Sequence, residues 1–450
     1  MYASPIQLPL LPQFDIGCLY VARCNYETAL DHFQTCLLQR RKLSGSHVDV
    51  ANTLYEMASA YSQQGNVQLA AKCLTESDEI WMTKLASNKK LTMVLLLSGK
   101  LWKNLQCYQE AEQNFELALE KATSVYGQEH NLVASILLSL GEFLQEINQF
   151  QQALFCFEEC IKVRLSLYGP SSPSLAEVEY SKGVALLFHR EFDDAMDCLN
   201  HSLQIRQEQL GPMDSTVGDT LNSIGFLQLR KGNISDRQAL GPLEKALEIR
   251  QSVGNKSKVV STLQNIGIVY KKLKHFDKWV DTHAKIVAVR QDEFGQNDAR
   301  VADAWIQLGN VQTRAGRLVQ AKKSYEAALR LRTLQNGYDN RSVAQVLFKI
   351  GSLNSNQNNH TTAKQLLEEY MRIRAKEEDG PDEEMAQALT LMGDLQKETK
   401  EKSKAQINWA SAAEIYQQLG YQKTHVKVQK LRDRQQTIRL SFANRRRYRP

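Results

Sequence analysis

The sequence predicts an all-α chain, a solenoid of about ten helix-turn-helix repeats. Three observations carry that prediction. A small residue returns at Gly17, Ala58, Gly99, Gly141, Gly183, Gly225, Gly267, Gly309, Gly351 and Gly393, at intervals of 41, 41 and then 42 seven times. Twelve residues later come Ala29, Ala70, Ala111, Ala153, Ala195, Ala321, Ala363 and Ala405; four beyond those sit Phe33, Leu74, Phe115, Phe157, Leu199, Tyr325, Leu367 and Trp409. Apolar residues around these positions recur at three-four spacing, as in an amphipathic helix, and strand signals are essentially absent. A phase held for ten cycles means one supersecondary unit repeated, and it overrides the prior of about three ordinary domains for a chain of 450 residues.

Each element follows from its local pattern. Segments such as LNSIGFLQL (221–229) and LQNIGIVYKKL (263–273) are first helices, and AKKSYEAALRLR (321–332) is a second helix reached through a short turn. The small residue lets two helices approach closely, and the bulky column is expected to fill the gap between neighbouring units. No single pair can bury its apolar face, so stability must come from stacking. Linkers are marked by YGQEH (126–130), YGPSSP (168–173), LGPMDS (210–215), FGQND (294–298), NGYDN (336–340) and DGPDEE (379–384). Their glycine suits a helix C-terminus, and a proline just beyond prevents continuation. Arg40, Arg164, Arg206, Arg290, Arg332 and Arg374 lie twenty-three past the small residue. That column reads as a helix-end carbonyl contact or a salt bridge.

These columns resemble the tetratricopeptide repeat, whose signature positions are the small residue, the alanine and the aromatic. The 42-residue period, the Tyr126, Gly127 and His130 linker and the arginine closing the second helix look like the kinesin light chain and nephrocystin subgroup. The resemblance covers residues 10–419 and implies a right-handed α-solenoid that binds protein partners. Kinesin light chains carry a long heptad segment ahead of their repeats; here the first repeat starts almost at once, with Pro9 and Pro12 crowding its first helix, so either this chain does not bind a motor chain in that way or the sequence lacks an upstream segment. Residues 1–9 are an N-terminal extension and 420–450 a basic tail.

Repeat six departs from the phase. Its alanine, Ala239, arrives fourteen residues after Gly225, followed by Leu243, Ala246 and Arg250. This implies two residues inserted within 230–238, offset by a shorter linker. Pro242 then falls inside the nominal second helix, where an interior proline costs on the order of 3 kcal/mol. The expectation is a truncated or kinked helix that restarts with Pro242 as its first residue, and a candidate hinge near 230–242 between two halves of five repeats.

Composition bounds the function. Hydrophobic residues make up 42% and charged ones 24% of the chain, with a mean hydropathy of −0.43. The richest apolar run, Met93–Leu97, is far too short to span a membrane, and the N-terminus lacks the basic region of a secretory signal. Eight cysteines lie between Cys18 and Cys198 without a Cys-x-x-Cys, which reads as reduced thiols in a cytoplasmic protein. No phosphate loop, nucleophile elbow, dinucleotide fingerprint or zinc-protease motif occurs. Cys156 and Cys160 are one turn apart, but Cys73, Cys156 and Cys198 share one packing slot and Cys36 and Cys160 another. The histidines, among them His130, His189 and His275, have no metal-like partner set. The chain is therefore read as a non-enzymatic adaptor with no cofactor, metal or small-molecule substrate.

Family geometry implies that residues two and three before each small residue, and one, four and five after it, face the concave side. In repeats six to nine these are Asn222, Ser223, Arg230, Gln264, Asn265, Lys271, Lys272, Gln307, Asn310, Thr313, Arg314, Phe348, Lys349, Ser355 and Asn356. Five are cationic, four are Asn and none is acidic. Asn side chains can hydrogen-bond an extended backbone, and Lys and Arg pair with carboxylates. The candidate groove residues are accordingly Asn222, Arg230, Asn265, Lys271, Lys272, Asn310, Arg314 and Lys349, with an acidic, extended protein segment as partner; the alternative is a solvated polar face. Kinesin light chains bind acidic peptides bearing a Trp, so the resemblance implies the same partner class. In repeats three to five the slots hold Met93, Leu96, Leu97, Leu138, Tyr180, Val184, Leu187 and Phe188, either a seat for an apolar anchor or simply core. The Lys and Asn clamp of co-chaperone repeats is not evident, because Phe226 stands where its second Asn belongs.

From Gln422 to Pro450 ten Lys and Arg face one acid, Asp433, so the chain's net +6 comes from its tail. The start of KVQKLRDRQQTIRLSFANRRRYRP (427–450) is expected to cap the last repeat and the final RRRYRP to be disordered. Nucleic acid, acidic lipid or acidic protein all suit such a tail, although no nucleic-acid-binding fold is present. The competing reading is an assembly protein that works through its convex surface or its ends.

Overall fold

Amphipathic segments separated by short capped turns pair in sequence, and the computed structural model shows those pairs directly. It describes residues 11–44, 47–85, 90–232, 235–376, 380–422 and 425–447, so the N-terminal extension 1–9 lies outside the described residues. Among these residues there is no strand. The elements are α1 (Leu11–Ala22), α2 (Tyr26–Ser44), α3 (Val48–Gln63), α4 (Val67–Lys84), α5 (Lys90–Asn104), α6 (Tyr108–Tyr126), α7 (Asn131–Glu146), α8 (Phe150–Tyr168), α9 (Pro173–His189), α10 (Phe192–Leu210) and α11 (Ser215–Lys231). They continue as α12 (Ser235–Gln238), α13 (Leu240–Val253), α14 (Lys256–Lys272), α15 (Phe276–Phe294), α16 (Ala299–Arg314), α17 (Leu318–Asn336), α18 (Arg341–Asn356), α19 (His360–Arg374), α20 (Glu383–Glu398), α21 (Lys402–Gln418) and α22 (Val426–Arg447). Two compact units meet at Ser235 and Asp236 in the sequence. No helix among the described residues is long and apolar enough to cross a membrane.

In the first unit α1 packs on α2, α3 on α4, α5 on α6, α7 on α8 and α9 on α10, and each second helix then meets the next first helix. The second unit repeats this from α14 to α21. First helices also touch the next first helix, from α1–α3 through α9–α11 and again at α18–α20; no pair of successive second helices does so as closely among the described residues. First helices thus line the tighter side of each unit and second helices the wider one.

The bulky column also packs within its own pair: Phe33 lies on Gly17, Phe115 on Gly99, Phe157 on Gly141 and Trp409 on Gly393, while Phe115 additionally meets Phe143 of the next repeat with ring centres 5.5 Å apart. The reason is steric: a Cβ on Gly17 would stand 2.5 Å from the Phe33 ring. Repeat seven varies the theme, with Trp279 in the alanine slot and His283 against Gly267.

Neighbouring repeats are also joined by arginine. Arg40 donates to the Asp49 carbonyl at 2.8 Å and to Thr53 Oγ1 at 2.6 Å, in the first turns of the next repeat. Arg164 reaches the Ser174 carbonyl and Glu177, and Arg374 reaches Asp382. The column is thus a carbonyl contact, but to the start of the following helix pair. Arg290 and Arg332 instead pair with Glu293 and Asp303 inside their own repeats.

First helices start where a linker side chain caps them. His130 Nδ1 accepts from the Leu132 N–H at 3.1 Å, and Asp214, Asp298 and Asn340 act in the same way at their own helix starts. The histidine of the Tyr-Gly-x-x-His linker is therefore an N-cap. Turns within pairs reverse through one left-handed residue seven after the small residue, for example Asn148 (φ 62°) and Arg190 (φ 70°).

In repeat six the second helix is divided: a single turn, Ser235–Gln238, then Ala239, then α13. Residues 233–234, inside the inferred insertion, lie outside the described residues. Pro242 is the third residue of α13 and not its first. The first four N–H groups of a helix have no intrahelical acceptor, so a proline fits there as readily as at the opening position. Ala239, Leu243 and Ala246 are fully buried. The linker then shrinks to Gly254 and Asn255, the C-cap of α13 and the N-cap of α14.

At the far end Val428 and Leu431 of α22 are buried against the last repeat, while Lys427 pairs with Glu383 and Arg434 with Asp394. The helix backbone continues to Arg447, against the expectation of disorder from Arg445 onward; residues 448–450 lie outside the described residues.

Candidate peptide-binding surface

The candidate groove residues fall on four first helices, divided between the units. Asn222 and Arg230 are on α11 in the first unit; Asn265, Lys271 and Lys272 on α14, Asn310 and Arg314 on α16, and Lys349 on α18 belong to the second. Arg230, Lys271, Lys272 and Arg314 are exposed, whereas Asn222, Asn265, Asn310 and Lys349 are half-buried.

Burial changes what the asparagines can offer. Asn310 Oδ1 accepts from the Tyr325 hydroxyl at 2.8 Å, leaving its amide N–H groups for a ligand. Asn222 and Asn265 are also engaged within the protein. Thr313 Oγ1 donates to the Gly309 carbonyl at 2.8 Å, Ser223 is buried beside the Tyr180 hydroxyl at 3.2 Å, and Phe348 packs on Tyr370. These three slots serve the fold. Gln264, Gln307 and Asn356 stay exposed, and Ser355 is half-buried.

The cations are better placed. Across α14, α16 and α18 eight Lys and Arg face one carboxylate, Asp303. Some are committed: Lys256 to Asp292, Arg300 to Asp298 and Arg341 to Asp382. Lys271 Nζ lies 5.9 Å from the centre of the Trp279 ring. Burial pushes the Glu384 carboxyl up, and Lys349 pulls it back. Lys271, Lys272 and Arg314 are the exposed cations of these helices, and Lys272 is already engaged within the protein.

The apolar slots of repeats three to five split in two. Leu96, Leu138 and Leu187 are core residues. Met93, Leu97 and Phe188 are exposed, and Tyr180 and Val184 are half-buried. A period of 42 names the slot but not its depth, because depth depends on how closely the next first helix approaches.

The cysteines are packing groups. Cys160 Sγ donates to the Ala134 carbonyl at 3.1 Å, as Ser77 and Ser202 do to Ala51 and Ala176 in the same slot. Burial pushes the Cys156 and Cys160 thiols up to about 11 and Cys198 to about 12, so all three stay protonated near neutrality. Among the described residues no cluster of His, Cys, Asp and Glu is arranged for a metal. His189 stacks on Phe150 with ring centres 3.5 Å apart.

One surface went unread in the sequence. Second helices α6 and α8 leave a groove on the wide side of the first unit, floored by Leu137, Leu140 and Leu144 of α7 and edged by Glu112, Glu116 and Glu120. Its sequence signal is three glutamates at four-residue spacing on α6, a second helix.

The family model described as tetratricopeptide repeat matches residues 14–81, 101–166 and 300–376. Among solved structures the chain is similar to BtubC (BKLC) from P. vanneervenii, at 19% identity over 55% of this chain and 93% of that one, with a TM-score of 0.40. A Podosopora anserina protein described by "kinesin light chain nearly identical TPR-like repeats" is 18% identical over 44% of this chain and 95% of its own, with a TM-score of 0.41. Aspartyl phosphate phosphatase F from Bacillus subtilis is 11% identical over 85% of this chain and 98% of its own, with a TM-score of 0.45. Comparison with curated proteins gives no match.

Proposed function

We propose that this chain, whose residues 14–81, 101–166 and 300–376 match the tetratricopeptide-repeat model, is a scaffold for protein interaction whose α14, α16 and α18 receive an acidic, extended segment of a partner. The observation that supports the reading is charge: eight cations against one carboxylate on three successive first helices, with Lys271, Lys272 and Arg314 exposed. Recognition is the whole mechanism. Lys and Arg pair with the segment's carboxylates, and the amide N–H groups of Asn310 donate to its backbone carbonyls. Exposed charges mainly steer the encounter and select the partner, so binding weakens as salt rises.

A labelled peptide with Asp and Glu flanking one Trp tests this by fluorescence anisotropy. Lys271→Glu, Lys272→Glu and Arg314→Glu introduced together should weaken binding at least tenfold with helix content unchanged. Binding indifferent to that reversal sinks the proposal.

A further inference from the structure

The groove between α6 and α8 is an open apolar feature that the proposed function does not use. It encloses about 850 Å³, within the range of pockets that bury side chains of a ligand. Its floor is apolar: Leu137, Leu140 and Leu144 of α7. On the α8 side Phe155 is 63% exposed, a large aromatic beside an open apolar trough. On the α6 side Glu112, Glu116 and Glu120 form one edge, because residues four apart share a helix face. An occupant must therefore be apolar along its buried side and basic along the flank that meets α6.

The chain itself carries such a segment. Residues 437–450, TIRLSFANRRRYRP, contain five arginines and no acid, with Ile438 and Phe442 four apart. The helix that leads into them, α22, is tied to its own last repeat by Val428 and Leu431, and so belongs to the second unit while the groove belongs to the first. We propose that the α6–α8 groove takes the basic C-terminal segment of a second copy of this chain. Ile438 and Phe442 supply the apolar contact with the floor, and the arginines pair with Glu112, Glu116 and Glu120. The two surfaces are different, so the contact is heterologous and each copy still offers one groove and one tail. Two copies that exchange tails close as a dimer, and any other arrangement continues beyond it.

Sedimentation velocity of the full chain at low salt tests the proposal. The expected result is a mass that grows with concentration beyond the monomer, to a dimer or further, and falls as salt is added. Glu112→Lys, Glu116→Lys and Glu120→Lys together should leave a monomer, as should Arg445→Glu, Arg446→Glu and Arg447→Glu. Placing both sets in one chain should restore association, which a merely damaged fold would not do. A labelled peptide of residues 437–450 should bind the wild-type chain and bind the glutamate-reversed chain at least tenfold more weakly. A monomer at every concentration, including one whose own tail fills its own groove, overturns the proposal. So does peptide binding that ignores the glutamate reversal, or association that survives either triple substitution.

Discussion

The Arg206 guanidinium donates to Thr220 Oγ1 at 2.7 Å and to the Thr216 carbonyl at 3.0 Å, binding the end of one repeat to the start of the next. Arg250 makes the same pair of contacts to Thr262 at 2.5 Å and the Lys258 carbonyl at 3.0 Å. Partners in the first case are fourteen residues apart and in the second twelve. The two residues gained ahead of Ala239 are thus returned in the linker, and the inter-repeat contact is what stays constant. Both guanidiniums are buried, so each contact replaces water around a charge and cannot be lost lightly.

Arg206 and Thr220 should therefore be energetically coupled. A double-mutant cycle of Arg206→Met and Thr220→Val, read by urea unfolding, should give an interaction of about 1–3 kcal/mol, the range for hydrogen bonds to a charged group. Additive effects would mean that the arginine acts only by filling space.

Gly309 should not tolerate a methyl. A Cβ there would stand 2.5 Å from the Tyr325 ring, which is itself fixed by Asn310. Gly309→Ala should destabilise by about 1–3 kcal/mol through overpacking. Gly309→Ala with Tyr325→Leu should recover part of that loss in thermal unfolding, whereas Tyr325→Leu alone should not stabilise.

Arg190 should be improvable. It holds φ 70° and ψ 19°, a left-handed conformation that costs an L-residue roughly 1–2 kcal/mol. Glycine removes that strain but adds disorder to the unfolded chain, so Arg190→Gly should raise stability by about 0.5–1 kcal/mol. An unchanged or lowered urea midpoint would show that the side chain contributes more than the strain costs.

Acid should loosen the second unit in a defined window. Hydrogen bonds from Arg372 and then Lys376 hold the Asp339 carboxyl down at about 2, and those from Lys364 and then Lys404 hold Glu401 at about 2. A depressed folded value stabilises above the ordinary carboxylate range near 4, and the contribution disappears as pH falls toward 2. Asp339→Asn should be less stable than wild type at pH 6, and the gap in urea midpoint should close by pH 2. High salt should narrow it at pH 6, since these carboxylates are exposed.

The repeat, its helix pairs and the arginine column were legible in the sequence because each rests on spacing along one chain. Gly17, Phe33 and Arg206 could be placed in their columns by counting, but that Arg206 reaches Thr220 of the next repeat came from packing. The candidate site was legible only as a list of positions. Ser223 and Thr313 fell in the slots counted for a groove, yet one is buried and the other bonds its own helix. Asn310 is turned partly to Tyr325, a partner fifteen residues away on the second helix of its pair.

By itself, then, the sequence determined that this chain is all-helical, where its linkers fall, and that repeat six shifts by two residues. Those are consequences of periodicity, capping and backbone conformation, which act over a few neighbours. Only the tertiary structure decided that the bulky residues pack within pairs, that Leu96, Leu138 and Leu187 are core, and that α6 and α8 stand apart over an apolar floor. Burial and groove width depend on how closely non-neighbouring helices approach, and no spacing within one helix specifies that distance.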